Sequence, residues 1–203
     1  MRVALIGASG KAGSRILAEL LARGHAVTAI ARTLEHLPQQ SGVATKRGDA
    51  SDAAVLAPLL AGHDAVISAT RFVSTDPHAL LAAAKRAGVK RLLVVGGAGS
   101  LMTPSGEQLV DTPKVPAASR PEALAGREFL ALLRAELELD WTFLSPPLSF
   151  APGTRSGKFR LGRDHLLTDA AGASAISMED FAIAMVDELE TPRHPQQRFT
   201  VGY

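Results

Sequence analysis

Near the start of the chain, Gly7-Ala8-Ser9-Gly10-Lys11-Ala12-Gly13 places three glycines at GxxGxxG spacing, between the apolar run Arg2–Ile6 and a helical pattern that begins at Lys11. A lone glycine pattern says little, but one that fills the turn from a strand into a helix has a specific use. Gly7 can take the tight turn, Gly10 bares the backbone where a pyrophosphate would touch it, and Gly13 lets helix and strand approach closely. The helix start then offers unpaired N–H groups and a partial positive charge to phosphate oxygens. Ala8, Ser9, Lys11 and Ala12 belong to the same cofactor-binding turn. The chemistry this points to is dinucleotide binding. A phosphate-binding P-loop also ends in Gly-Lys, but Leu5 stands where it needs glycine and Ala12 where it needs a magnesium-binding Ser or Thr.

The next strand-like run ends at Arg32-Thr33, about twenty residues past Gly13. An acid at this point binds the ribose 2′-hydroxyl of NAD, whereas an arginine suits the 2′-phosphate of NADP. Lys11 points the same way, because a cation in the first turn of a helix opposes the helix dipole unless an anion sits beside it. Together they favour NADP(H) over NAD.

Other constellations fail. His25, His36, His63, His78, His165 and His194 never fall at metal-ligand spacing, so no metal is expected, and neither HExxH nor GxSxG occurs. With no cysteine, disulfides, thiol catalysis and cysteine-ligated metals are excluded. Net charge is +2 and the longest cationic runs are pairs such as Lys46-Arg47, which argues against nucleic acid as a partner. No stretch approaches the ~20 apolar residues of a membrane span and Gly7 interrupts the first apolar run, so a soluble cytoplasmic protein is expected, a monomer or weak homodimer.

The elements that must position the glycine turn alternate along the chain. Strands are predicted at Arg2–Ile6, Ala26–Ala31, Val43–Lys46, Asp64–Ala69, Arg91–Val95 and Trp141–Leu144, and helices over Lys11–Arg23, Asp52–Leu60, Pro77–Ala87 and Pro121–Leu137. This rhythm implies an α/β Rossmann fold, a doubly wound parallel sheet with helices on both faces, in one domain spanning 1–203. After Pro146 the texture changes: Lys158–Leu161 and His165–Thr168 read as short strands, Ser177-Met178-Glu179-Asp180 as a capping box opening a helix to Glu190, and Gln197–Tyr203 as a last strand closing the sheet edge. The substrate-side elements are 100–120, which reads as a long loop and candidate lid, and the small C-terminal region 146–177. In the latter, Arg155, Lys158, Arg163 and His165 read either as a solvated basic loop or as receivers of an anionic substrate.

With these residues placed, the whole chain resembles the atypical short-chain dehydrogenases, specifically the NADH-flavin reductase group with its NmrA-like and biliverdin reductase B-like relatives. The resemblance is carried by Gly7–Gly13, Arg47-Gly48-Asp49, Ser68-Ala69-Thr70-Arg71, Gly96-Gly97-Ala98-Gly99-Ser100, Ser145-Pro146-Pro147 and the closing Arg198–Tyr203. It implies that Asp49 and Ala50 flank the adenine and that Ala69, Thr70 and Arg71 line the pyrophosphate and nicotinamide ribose. It further puts Gly97 in the cofactor-binding wall, Ser100 at the nicotinamide ring as the catalytic residue, and Pro146 and Pro147 beside the carboxamide. On residue chemistry alone, Asp49 reads equally as an acid ahead of the helix that Ser51-Asp52 begin, Arg71 also as a solvated loop charge and Ser100 also as a turn residue.

Ordinary members of the wider class use a Tyr-x-x-x-Lys pair to protonate the carbonyl oxygen as hydride arrives. Here the single tyrosine is Tyr203, so no such pair exists. A conjugated acceptor relaxes that demand, because its ring delocalises the incoming charge. The sequence therefore predicts hydride transfer from NADPH to a flavin (FMN or FAD) or another small-molecule acceptor such as a quinone. The alternative is a non-catalytic, NmrA-like NAD(P)-sensing regulator.

Overall fold

The computed structural model of the chain describes residues 1–37 and 41–203. The first apolar run is strand β1 (Arg2–Ile6), and the pattern after the glycines is helix α1 (Lys11–Ala22). β2 (Ala26–Ala31), β3 (Val43–Arg47), α2 (Ala53–Leu60), β4 (Ala65–Ser68), α3 (Pro77–Arg86), β5 (Arg91–Val95), α4 (Arg120–Arg134) and β6 (Asp140–Ser145) follow. The C-terminal part holds β7 (Ser149–Ala151), β8 (Arg160–Gly162), β9 (Ala175–Ser177), α5 (Met178–Glu190) and β10 (Gln197–Gly202).

The main sheet runs β3-β2-β1-β4-β5-β6-β10-β8. Every neighbouring pair is parallel except β10 with β8. Winding starts in the middle at β1, runs out to β3, then returns to β4 and proceeds the other way. This is the Rossmann arrangement, and its reversal lies between β1 and β4.

Strand alternation makes two cores. Val3 and Leu5 face one side, with Ile16, Leu17 and Leu20 of α1 and Phe181 and Met185 of α5. Ala4 and Ile6 face the other, with Leu56 and Leu60 of α2, Leu80 of α3 and Phe129 and Leu133 of α4. Both faces being covered explains why the strands read as near-continuous apolar runs.

Helix starts follow local chemistry. Asp52 caps α2 by accepting from Ala54 and Val55 N–H, and Asp76 caps α3 ahead of Pro77. Ser177 Oγ caps α5 by accepting from Asp180 N at 3.0 Å, but the box is only half made. The Asp180 carboxylate turns away to Ser156, Gly157 and the Tyr203 hydroxyl.

Three details of the C-terminal region depart from the sequence expectation. β10 does not close the sheet, since β8 pairs antiparallel beyond it. Residues 165–168 form no strand, and His165 makes only an isolated bridge to Met102. A separate two-stranded sheet, β7 with β9, has no counterpart in the reading of the sequence. Strands of three residues show too little alternation to be recognised.

Candidate functional site

Gly7 ends β1 at φ +81°, in the left-handed region, and a Cβ there would lie 2.6 Å from the Ala69 carbonyl oxygen. Gly7 N donates to the Ile30 carbonyl at 2.9 Å and Gly10 N to the Gly7 carbonyl at 3.0 Å, so the turn is pinned to β2 and closed on itself. A Cβ on Gly13 would sit 2.1 Å from the Gly7 oxygen, so α1 rests against the turn at a distance only glycine allows. No side chain caps α1 and no acid occupies its first turn. Its leading N–H groups are therefore free for an anion. These features fit a pyrophosphate: close backbone, exposed donors and no competing carboxylate.

Above the carboxyl ends of the strands, at the reversal between β1 and β4, two clefts join. The smaller, about 170 Å³, is lined by Gly7, Ser9, Gly10, Arg32, Asp49 and Ala50 among others. The larger, about 820 Å³, runs past Gly96–Gly99 after β5 to Pro146 and Pro147 after β6, and Lys114–Pro116 form part of its wall. Gly10, Ala69, Thr70 and Arg71 line both. Open α/β sheets bind ligands at this edge and at this reversal.

The predicted residues distribute unevenly over the two clefts. Asp49 is not the cap of α2, since Asp52 takes that place; its Oδ1 accepts from Ser51 N at 2.9 Å, which leaves the second oxygen for a ligand. Lys11 and Ala12 line the larger cleft, whereas Arg32 lines the smaller. Thr33 is exposed and lines neither cleft, and Ala8 is buried in the core beneath the turn. Arg71 is exposed, with only a loose ion pair to Glu122 at 3.8 Å, because Glu122 is occupied in accepting from Phe72 N and Val73 N. Gly97, Pro146 and Pro147 line the larger cleft.

Ser100 stands apart. The cleft wall stops at Gly99, and Ser100 is only 6% exposed. Its hydroxyl accepts from Arg198 Nη1 at 3.4 Å, beside Ser145, whose hydroxyl accepts from the same nitrogen at 3.5 Å. Burial lowers the pKa of the Arg198 guanidinium, while Asp164 acts to raise it. This buried cation, near the start of β10, gathers the Ser145 hydroxyl at the end of β6 and the Ser100 hydroxyl after β5, so Ser100 is engaged there and is not part of the cleft lining.

The basic C-terminal residues do not line the larger cleft. Arg155 is committed to Glu19 of α1 through two contacts of 2.9 Å. The Tyr203 hydroxyl donates to Asp180 at 2.9 Å and accepts from Ser177 N at 3.1 Å, so the single tyrosine is fully engaged. The first half of the 100–120 segment is not a free lid. Leu101, Leu109 and Val110 are fully buried, and Met102 pairs with the 164–166 backbone in both directions. Apart from Leu109, the part of it that lines the cleft is its second half. Lys114, Val115 and Ser119 fall in the 100–120 segment and Phe150 of β7 in the 146–177 region read as substrate-side, though the individual residues were not singled out, and Glu122 lies outside both.

No helix among the described residues is long and apolar enough to cross a membrane.

Residues 7–192 match the family described as NAD(P)H-binding. Three solved structures are similar over the whole chain. A Bacteroides thetaiotaomicron protein described as a "putative epimerase" is 43% identical, with TM-score 0.95, covering 100% of this chain and 96% of its own. A Burkholderia pseudomallei "putative exported protein" is 44% identical, with TM-score 0.89 and full coverage of both chains. A Streptococcus pneumoniae "putative NADH-flavin reductase" is 34% identical, with TM-score 0.85, covering 100% of this chain and 99% of its own.

Proposed function

The chain belongs to the NAD(P)H-binding family, and from that premise we propose that it is a reductase that passes hydride from NADPH to a flavin or similar conjugated acceptor. One observation carries this reading. The cleft beside the glycine turn opens, through Gly10, Ala69, Thr70 and Arg71, into a much larger one with largely apolar walls and no tyrosine in its lining.

The smaller cleft suits the adenosine, with Asp49 offering a free carboxylate oxygen to the adenine amine and Arg32 a guanidinium near the ribose. α1 and the glycine turn hold the pyrophosphate. The larger cleft has room for the nicotinamide and a second planar ring between Pro146-Pro147 and Val115-Pro116. A bound reduced nicotinamide supplies the hydride, and the acceptor takes it together with one solvent proton. The protein's part is to hold two rings face to face and exclude water, which needs apolar walls more than an acid. Tyr203 cannot serve a carbonyl substrate, because both hydrogen-bonding functions of its hydroxyl are used elsewhere.

The relative named for NADH-flavin reduction supports the acceptor class. Arg32 supports NADPH over the NADH in that name. Such a reductase draws on a reduced nicotinamide pool, and we place it in the cytoplasm as a monomer or weak dimer. The test is steady-state NADPH oxidation with FMN, FAD, riboflavin, a quinone and an aliphatic ketone. Turnover with the conjugated acceptors and none with the ketone is expected. Cofactor binding without turnover for any acceptor would favour the regulatory, NmrA-like role instead.

A further inference from the structure

Lys11 lines the larger cleft, and a different cation, Arg47, shares a hollow with Arg32. β2 and β3 pair in parallel with Ala31 opposite Arg47. Arg32, one residue past Ala31, and Arg47 therefore leave adjacent strands side by side at the carboxyl edge. Both are exposed, and both line one open hollow of about 400 Å³ with Gly48, Asp49 and Val55. Arg32, Gly48 and Asp49 also line the smaller cleft, so the hollow opens directly off it. Among the described residues neither arginine makes an ion pair. The one carboxylate in the hollow, Asp49, bonds Ser51 N instead of either guanidinium. Gly48 keeps the backbone between them low, since a Cβ there would press to 2.8 Å from the side chains of Ile30 and Leu59.

Two adjacent, permanently charged guanidiniums without a counter-ion repel each other until an anion arrives. The anion that matches them is compact, at least doubly charged at neutral pH and able to accept from two planar forks, which describes a phosphate monoester. We infer that Arg32 and Arg47 together hold the 2′-phosphate of the adenosine ribose, with Arg47 as a specificity-determining residue. The inference rests on the smaller cleft being the adenosine site, but not on the protein being catalytic.

The test is calorimetric titration with 2′,5′-ADP and with 5′-AMP, which differ only in the 2′-phosphate. The wild-type protein is expected to bind 2′,5′-ADP at least about tenfold more tightly, the scale of a charge-assisted bidentate contact. Arg47→Gln is expected to remove most of that ratio while leaving 5′-AMP affinity within about twofold, and Arg47→Lys to retain part of it. An unchanged ratio in Arg47→Gln, with the ratio lost in Arg32→Gln, would overturn the role of Arg47. No preference in the wild type would overturn the subsite altogether, and failure of both nucleotides to bind would remove it along with the adenosine cleft. Tight, 2′-phosphate-dependent binding without NADPH oxidation would leave this inference standing and defeat the reductase reading alone.

Discussion

The two edges of the same sheet treat charge in opposite ways. At the amino edge, cations are matched inside the protein. Arg23 contacts Glu19, Asp187 and Glu190; Lys85 contacts Glu136 and Glu138; Arg91 contacts Glu188, which also accepts from His194. At the carboxyl edge, Lys11, Arg32 and Lys114 line the clefts with no ion pair among the described residues, and Arg71 has only its loose contact with Glu122. Helix α1 is uncapped at this edge as well. Charges matched internally serve the fold, and charges left unmatched around a concave surface are available to an anionic ligand.

The contrast can be broken most severely at the glycine turn. Gly13→Val would drive a side chain into the Gly7 carbonyl, so cofactor affinity is expected to fall at least about 100-fold, with about 2–4 kcal/mol of stability lost to the clash. Fluorescence titration with NADPH and a denaturant melt would read both. Binding within a few-fold of wild type would mean that the turn can shift and that its tight packing is incidental.

At the other edge the prediction reverses. Glu188 accepts from Arg91, from Arg193 N and from His194 N and Nδ1, at 2.8–3.1 Å. Glu188→Ala leaves a buried guanidinium unmatched and is expected to cost about 3 kcal/mol of stability, with NADPH affinity unchanged at temperatures where the variant is folded. A loss of affinity with intact stability would contradict the division of labour between the edges.

Acid should act on the matched edge first. Burial raises the pKa of the Glu188 carboxyl, but its bonds from His194 and from the backbone outweigh that and hold it below its usual value. Glu19, Glu136 and Glu190 are depressed as well: Glu19 first by Arg155, and the other two by their bonded cations against the opposing effect of burial. A carboxylate with a depressed folded pKa contributes stability that is present above its unfolded value, about 4.3, and is lost as pH falls through the folded value. Denaturant midpoints are therefore expected to hold from pH 7 to about 5 and fall steeply below about 4. The acid limb should be shallower in Glu188→Gln. An equally steep limb in that variant would place the acid sensitivity elsewhere.

The smallest effect belongs to the acceptor end. Val115 lies in the cleft wall, and Val115→Phe narrows the space opposite the prolines. It is expected to raise the acceptor KM about tenfold, roughly 1.4 kcal/mol, while leaving NADPH affinity alone.

The same division governs what could be read from sequence. The strand–helix alternation and the glycine turn were legible because their signals are local: apolar runs that end at glycine, and a Gly spacing fixed by one turn and one helix start. Arg32 was legible for the same reason, since it follows directly on β2, whereas Asp49, two residues past β3, was singled out by the resemblance. The acceptor end was legible only as two segments, 100–120 and 146–177, and not as residues. Its wall comes from Val115 and Ser119 before α4, from Phe150 in a three-residue strand and from Glu122 within a helix, and only the tertiary fold brings these together. Ser100 was reached only through the resemblance, and its contact with Arg198, ninety-eight residues later, is one that the tertiary fold makes. Arg47 became visible only through the register of β3 on β2.

The most direct measurement of the central claim is an anaerobic single turnover in a stopped-flow instrument, mixing protein saturated with NADPH against increasing FMN. The account predicts a NADPH oxidation rate that far exceeds the reaction without protein, saturates with FMN and slows when the transferred hydrogen is deuterium, as it must if the cleft holds both rings together. Bound NADPH that is oxidised no faster than NADPH free in solution, at any FMN concentration, would contradict it.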